Sequence, residues 1–263
     1  MKFNGYTNKV KLEKDILKKQ SVDFHNIYLD KENEYNFLKQ LKDINQDILL
    51  APLKFYWKDN QLFSEYKFLR DFQTLKDIKI TKEIIDNVVN LIKKLHNFNS
   101  KEFKIKKFDY HKLLATFKNN TNTLLFNFEL HFNEISKEID KFDGLDLVLS
   151  HNDLVPGNIL VNKNKIILID YDYISLNNKF FDIASFISET LNDDEKMIKY
   201  FIKQCIEKEL IYVDEIGILN SMIKYQDLLW TLWANFMLEK KKQIIFKEIF
   251  ESKLERLKSR KIY

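Results

Sequence analysis

Asp153, Asn158 and Asp170 lie within one short stretch, SHNDLVPGNILVNKNKIILIDYDYISLNNKFFDIAS, running from Ser150 to Ser185. Their types and spacing suit phosphoryl transfer. That chemistry needs a carboxylate to hold an acceptor hydroxyl in line and take its proton. It also needs an oxygen ligand in the same loop and a second carboxylate, which together hold Mg²⁺ on the phosphates of ATP. Asp153 is placed for the first task, and Asn158 and Asp170 for the second. A hairpin with acidic residues at its ends is the plainer alternative for any one of them. The three in this order favour the chemical reading.

The elements around them must supply a rigid frame. Leu147-Val148-Leu149, Ile159-Leu160-Val161 and Ile166 to Ile169 read as short buried strands, with Asn162-Lys163-Asn164 as the turn between the last two. The polar residues therefore fall at strand ends and in a loop. Upstream, residues 1–20 read as strand, turn, strand, with Gly5-Tyr6-Thr7-Asn8-Lys9 as a polar turn, then Val10-Lys11-Leu12 and Ile16-Leu17-Lys18. Residues 30–43 read as a helix with Asp30 as N-cap and Tyr35, Leu38 and Leu41 on its apolar side. Ile48 to Ala51, Leu53 to Trp57 and Leu62 to Tyr66 suggest further strands, with a hairpin turn at Lys58-Asp59-Asn60. Residues 82–96 carry the strongest helical spacing, through Ile85, Val88, Val89, Ile92 and Leu95. A helical region spans about residues 109–140, and the chain is helical again after the polar stretch.

HNDLVPGNIL followed by LIDYDY and FDIASF resembles the choline/ethanolamine kinase family, within the aminoglycoside-phosphotransferase-like group that shares the protein-kinase fold. Asp153 and Asn158 also keep the D-x-x-x-x-N spacing of the protein-kinase catalytic loop. The resemblance implies an α+β, two-lobed fold: a small sheet-rich N-lobe over residues 1–67 and a larger, mainly helical C-lobe over residues 68–263. It implies ATP and Mg²⁺ as cofactors. The turn containing Asn8 resembles the G-x-T-N-K turn that opens bacterial choline kinases and covers the nucleotide. By position the strand lysine that touches the phosphates is Lys18, with Lys19 the alternative, because a shift of one residue turns a strand side chain to the other face. Glu34 matches the glutamate that pairs with that lysine. The strand containing Glu65 matches the hinge whose backbone binds adenine.

The same resemblance implies a substrate pocket. Trp230 and Trp233 form a W-x-x-W pair sharing one helix face; a core stripe is the alternative. Tyr173 follows Asp172, and Glu189 stands seven residues after Asp182, as pocket residues do in the family. A quaternary ammonium is recognised by aromatic faces, each worth about 0.5–2 kcal/mol depending on desolvation. A primary ammonium would lean on acceptors such as Asp172 and Glu189. Asp172 departs from the family's usual Glu by one methylene. The implied reaction is phosphorylation of choline. Ethanolamine or thiamine kinase, aminoglycoside phosphotransferase and a non-catalytic kinase-like binding module are the alternatives.

Composition narrows the classes. A chain of 263 residues with 45% hydrophobic and 31% charged residues can build one large or two modest cores. A net charge of +4 with interspersed signs argues against a nucleic-acid partner. No apolar run approaches the ~20 residues of a membrane span, and MKFNGYTNKVKLEK has no apolar signal core. The single cysteine, Cys205, excludes an internal disulfide. These features predict a cytoplasmic protein with no membrane insertion and carry no information on oligomeric state; the small-molecule substrate is what the resemblance implies.

Overall fold

The computed structural model describes residues 6–263. Gly5 of the expected opening turn lies outside them. Contacts divide the chain into two compact units, Met1–Lys107 with Val148–Leu176, and Phe108–Leu147 with Asn177–Tyr263. The compact units therefore do not divide at residue 67. The Val148–Leu176 segment returns to the first unit because its strands pair there with a strand that follows the N-terminal sheet.

In the first unit, β1 (Asn8–Glu13) and β2 (Ile16–Ser21) form a hairpin closed at Lys14, whose φ is 56°. α1 (Lys31–Leu41) starts at Asp30, whose side chain accepts the Asn33 N–H at 2.9 Å, a standard cap. β3 (Lys54–Lys58) and β4 (Gln61–Lys67) are joined by Asp59 and Asn60, with φ of 49° and 59°. Two successive left-handed residues make a type I′ turn, which suits the twist of a tight hairpin. The sheet order is β1-β2-β4-β3, all antiparallel. Ile48–Ala51 does not become a strand; Leu49 makes only a single bridge to Leu168.

A second sheet, order β5-β7-β8, joins β5 (Gln73–Thr74), β7 (Ile159–Asn162) and β8 (Lys165–Leu168). β6 (Val148–Ser150) pairs with β9 (Ser175–Asn177). α2 (Lys82–His96) packs against β6 and β8 with Ile85, Val88, Val89, Leu91, Ile92 and Leu95 all buried. Each such side chain contributes about 1.5–3 kcal/mol, so the frame behind the polar loop is firmly held.

The second unit is helical. The region expected as one helix is two, α3 (Tyr110–Asn119) and α4 (Glu129–Asp143). The break is stabilised from outside: Glu239 accepts the Asn122 and Thr123 N–H groups and Asn235 accepts that of Leu125. α5 (Phe180–Ser185) runs into a π-helical turn, Phe186–Thr190, and α6 (Glu195–Glu207) follows. α7 (Ile216–Lys241) is the central helix and packs on α3, α4, α5 and α8 (Ile244–Ser259). Among the described residues no helix is long and apolar enough to cross a membrane.

Candidate active site

The polar loop is built from the backbone outward. His151 donates from Nε2 to the Ile169 carbonyl at 3.0 Å, tying the loop to the end of β8. Asn152 adopts φ 63°. Its amide nitrogen reaches the carbonyls of Ser150 (3.1 Å) and Tyr173 (2.8 Å) and Ser175 Oγ (2.7 Å). That left-handed residue turns the chain so that Asp153 projects from the loop. Asn158 then folds back: its Nδ2 donates to Asp153 Oδ2 at 2.8 Å and to the Asp153 carbonyl at 3.0 Å. The Asn158 carbonyl accepts the Ile169 N–H at 3.0 Å, which fixes Asp170 as the next residue. Asp170 is itself left-handed, φ 67°. Non-glycine residues held there store strain of about 1–3 kcal/mol and cluster at functional sites.

Asp170 belongs to an ion cluster. Lys19 Nζ lies 2.5 Å from Asp170 Oδ1, 2.6 Å from Asp172 Oδ1 and 2.8 Å from Glu34 Oε1. Lys31 Nζ lies 2.6 Å from Asp172 Oδ1 and 2.7 Å from Glu34 Oε2. Burial pushes the Asp170 carboxyl up to about 6, reinforced by the neighbouring Asp172 and opposed by Lys19. Burial also acts on Asp172, but Lys19 and Lys31 outweigh it and hold that carboxyl well below its usual range. Lys19, although desolvated, is raised well above an ordinary lysine by Asp170, Asp172 and Glu34.

This geometry corrects three expectations. The strand lysine that meets Glu34 is Lys19. Lys18 points to the opposite face, where it pairs with Glu13 at 2.6 Å. The cross-strand register sets the side: Lys19 stands opposite Val10 and Ser64, on the face that also carries Leu12, Leu17 and Tyr66. Asp172 is 6% exposed and bonded to two lysines, with Asn8 Nδ2 on its other oxygen at 2.8 Å, so both its oxygens are engaged inside the protein. The Asn8 side chain is a buttress of Asp172. Glu65 sits between Lys18 and Lys54 inside the sheet and its carbonyl takes the Leu53 N–H at 2.7 Å. Its backbone is thus committed to the sheet, and the chain leaves the sheet only after Lys67.

Tyr173, in the first unit, stacks on Tyr28 with ring centroids 6.5 Å apart. The remaining expected pocket residues are in the second unit. Trp230 and Trp233 on α7 meet edge to face at 6.3 Å, and Trp233 meets Phe246 of α8 at 5.8 Å. Glu189, in the π-helical turn, does not present a free carboxylate. Lys253 of α8 donates to its Oε2, and Arg256 Nη1 lies 3.9 Å from its Oε1. Burial raises the Glu189 carboxyl, but these two cations more than offset it and the net shift is downward.

Sequence reasoning passed over Lys31, Lys253, Arg256, Asp227 and Arg260. Lys31 had a local signal, since Lys31 and Glu34 are three apart on a helix. The pairing of Arg260 Nη2 with Asp227 Oδ1 at 2.6 Å spans 33 residues and left none.

The donor set suits Mg²⁺. Asn158 spends its amide nitrogen on Asp153, which leaves Oδ1 as an oxygen ligand, and the Asp170 side chain stays one third exposed. Among the described residues no cluster of three or more His, Cys, Asp or Glu forms a complete metal cage. Mg²⁺ asks for none, since it takes one or two protein oxygens and completes its shell with phosphates and water.

A four-stranded sheet carrying a lysine paired to a helix glutamate, and a D-x-x-x-x-N loop followed by a strand-end Asp, define a kinase-like fold. The crystal structure of the choline kinase LicA from Streptococcus pneumoniae superposes with a TM-score of 0.74 at 19% identity, covering 98% of this chain and 92% of that one. A LicA structure in complex with AMP gives 0.75 at 18% identity, over 98% and 90%. The family model for choline/ethanolamine kinases matches residues 65–214. The chain belongs to the choline/ethanolamine kinase family. Protein LicA of Haemophilus influenzae is 27% identical over 181 residues, 64% of this chain and 52% of that protein, so the match spans about half of that relative.

Proposed function

We propose that this protein transfers the γ-phosphoryl group of ATP to the hydroxyl of choline or a closely related amino alcohol. The observation that carries the reading is the pairing of Asp153 with Asn158 beside an Asp170 held by Lys19. Asp153 accepts the hydroxyl proton as the alcohol oxygen forms its bond to the γ-phosphorus and the bond to the β-bridging oxygen breaks, releasing ADP. Asn158, bonded to Asp153, keeps that carboxylate aimed. Lys19 serves the nucleotide phosphates, and Glu34 keeps it from swinging away. Asn158 and Asp170 would hold Mg²⁺, which supplies charge neutralisation on the phosphates. Trp230 and Trp233 are the ring faces assigned to the ammonium group. Support for the nucleotide comes from the AMP complex of LicA, and for the alcohol from the family.

The test is ADP release from Mg-ATP with choline, ethanolamine, thiamine and kanamycin offered separately. Asp153→Ala should lower kcat by at least about 10³-fold while ATP still binds. Turnover confined to thiamine or kanamycin would overturn the amino-alcohol reading, and retained turnover in Asp153→Ala would overturn the role of Asp153.

A further inference from the structure

The segment joining α3 to α4 carries apolar side chains on the outside of the second unit. Leu124, Leu125 and Leu130 are 37%, 52% and 66% exposed, while Phe128 between them is buried. The backbone beneath them is fixed. Glu239 on α7 accepts the N–H groups of Asn122 at 2.8 Å and Thr123 at 3.0 Å. Asn235, buried on the same helix, accepts the Leu125 N–H at 2.9 Å and donates to the Thr123 carbonyl at 3.1 Å. A slack loop could turn its leucines inward. This one is held with them in water, where apolar surface is costly.

Three lysines accompany the leucines. Lys118, near the end of α3, has its Nζ 4.4 Å from the Phe132 ring centroid, and Lys258 on α8 lies 4.5 Å from that of Phe126. Lys242, exposed, ends α7 three residues after Glu239. Among the described residues none of the three has a carboxylate partner. Glu239 itself is matched by Lys240 at 2.6 Å. Glu129, exposed at the start of α4, offsets one of the three, so the surface stays positive.

We propose that this loop docks the chain on an anionic lipid bilayer. The leucines enter the boundary between headgroups and acyl chains, and Lys118, Lys242 and Lys258 meet the lipid phosphates. Three leucines offer far less than the ~800 Å² that each partner gives to a standard protein interface. Apolar tips flanked by unpaired cations are instead what an interfacial anchor uses. Lysine stems lie along the apolar layer while their charges stay in the polar one. Such a chain rests on the membrane without crossing it. The docking is independent of which alcohol is phosphorylated.

The experiment sediments the full chain with vesicles of phosphatidylglycerol and phosphatidylcholine in equal parts, and with phosphatidylcholine alone. At low salt the wild type should partition at least about tenfold more strongly onto the anionic vesicles, and raised ionic strength should erase most of that preference. Leu125→Ser/Leu130→Ser should weaken partitioning by about tenfold. Lys118→Glu/Lys258→Glu should weaken it by about tenfold or more. Lys76→Glu/Lys79→Glu makes the same change of net charge on exposed lysines of the first unit, and should weaken it by less than about threefold. If the leucine variant fails to fold, the two lysine pairs decide. A wild type that stays in the supernatant with anionic vesicles, a folded leucine variant that binds as tightly as the wild type, or equal losses for the two lysine pairs overturns the docking. So does a wild-type dimer, seen by light scattering and abolished in the leucine variant, because a second copy then covers the loop.

Discussion

Each unit holds a largely buried ion cluster, and the two differ in one respect that bears on what each can do. In the first unit three carboxylates, Glu34, Asp170 and Asp172, share two lysines, Lys19 and Lys31. In the second, Glu189, Asp193 and Asp227 meet three cations, Lys253, Arg256 and Arg260. The first is one positive charge short, and its least buried member, Asp170, faces out through a side chain one third exposed. The second is balanced, and Arg260 holds Asp227 and Asp193 through directed guanidinium hydrogen bonds. A cluster short of a cation has a place for one, which suits a nucleotide-metal site. A balanced cluster has none and serves as a clasp between α7, α8 and the π-helical turn.

The largest expected effect separates Lys19 from its neighbour. Lys19→Met should lower kcat/KM for ATP on the order of 10³-fold, about 4 kcal/mol of transition-state stabilisation. Lys18→Met removes only a contact with Glu13 on the outer face; exposed pairs contribute about 0–1 kcal/mol, so activity should stay within about twofold. Steady-state kinetics at varied ATP, with the unfolding midpoint of each variant, measures both. Equal losses for the two variants would remove Lys19 from the nucleotide site and leave the first cluster merely structural.

That pair of lysines also marks where the sequence stopped being legible. The order Asp153, Asn158, Asp170 and the strands around it could be read directly, because strand periodicity and turn residues are local properties. The helix at Lys82–His96 was equally plain, since its apolar spacing is carried by six buried side chains. Lys18 against Lys19 was not, because β2 has an apolar residue on each face, Ile16 and Leu17. Only the register to β1 and β4 settles the side, and register is a property of strand pairs. The clue was present in the partners: Val10, Leu12 and Tyr66 mark the inner face. The engagement of Asp172 and Glu189 was illegible for a related reason. Lys31 and Lys253 lie 141 and 64 residues away in the chain. A motif shows that a carboxylate is present and says nothing of a distant residue that neutralises it. The split of the helix after Asn119 likewise depends on Glu239, more than a hundred residues on.

A smaller effect probes the balanced cluster. Arg260→Met leaves Asp227, 1% exposed, without its two guanidinium bonds. Breaking one side of a buried pair costs about 3 kcal/mol or more. Asp227 is already raised from its ordinary value by burial, against the pull of Arg260. Without Arg260 it should rise further. A carboxyl whose folded pKa exceeds its unfolded one is better tolerated protonated, so its penalty is absent below the unfolded value, grows as pH rises between the two and is complete above the folded one. The stability gap between wild type and variant, measured by urea unfolding, should therefore be wider at pH 8 than at pH 5. A gap independent of pH would mean that Asp227 finds another partner, and the clasp would owe less to charge balance than to packing.

The smallest effect sharpens the contrast by titration. Asp170 is pushed up to about 6 by burial and by Asp172, while Asp172 itself is held well below the carboxylate range. Of the two aspartates Asp170 is therefore the one whose charge changes near neutrality, and it is also the one assigned to Mg²⁺. Proton and metal compete for the same oxygens. Above pH 6 the carboxylate is ionised and the metal meets no competition. Below it, each pH unit should weaken the contribution of Asp170 to metal-nucleotide binding by about tenfold. Nucleotide phosphates titrate in the same region, so the comparison is with Asp170→Asn, in which that nucleotide titration remains and the protein one is gone. Fluorescence titration with Mg-ADP between pH 5 and 8 should show the wild type losing its advantage over Asp170→Asn as pH falls through 6. Parallel curves for the two proteins would place the metal elsewhere. The missing cation of the first cluster would then be the substrate's or the solvent's to supply, and the charge count alone would separate the two clusters.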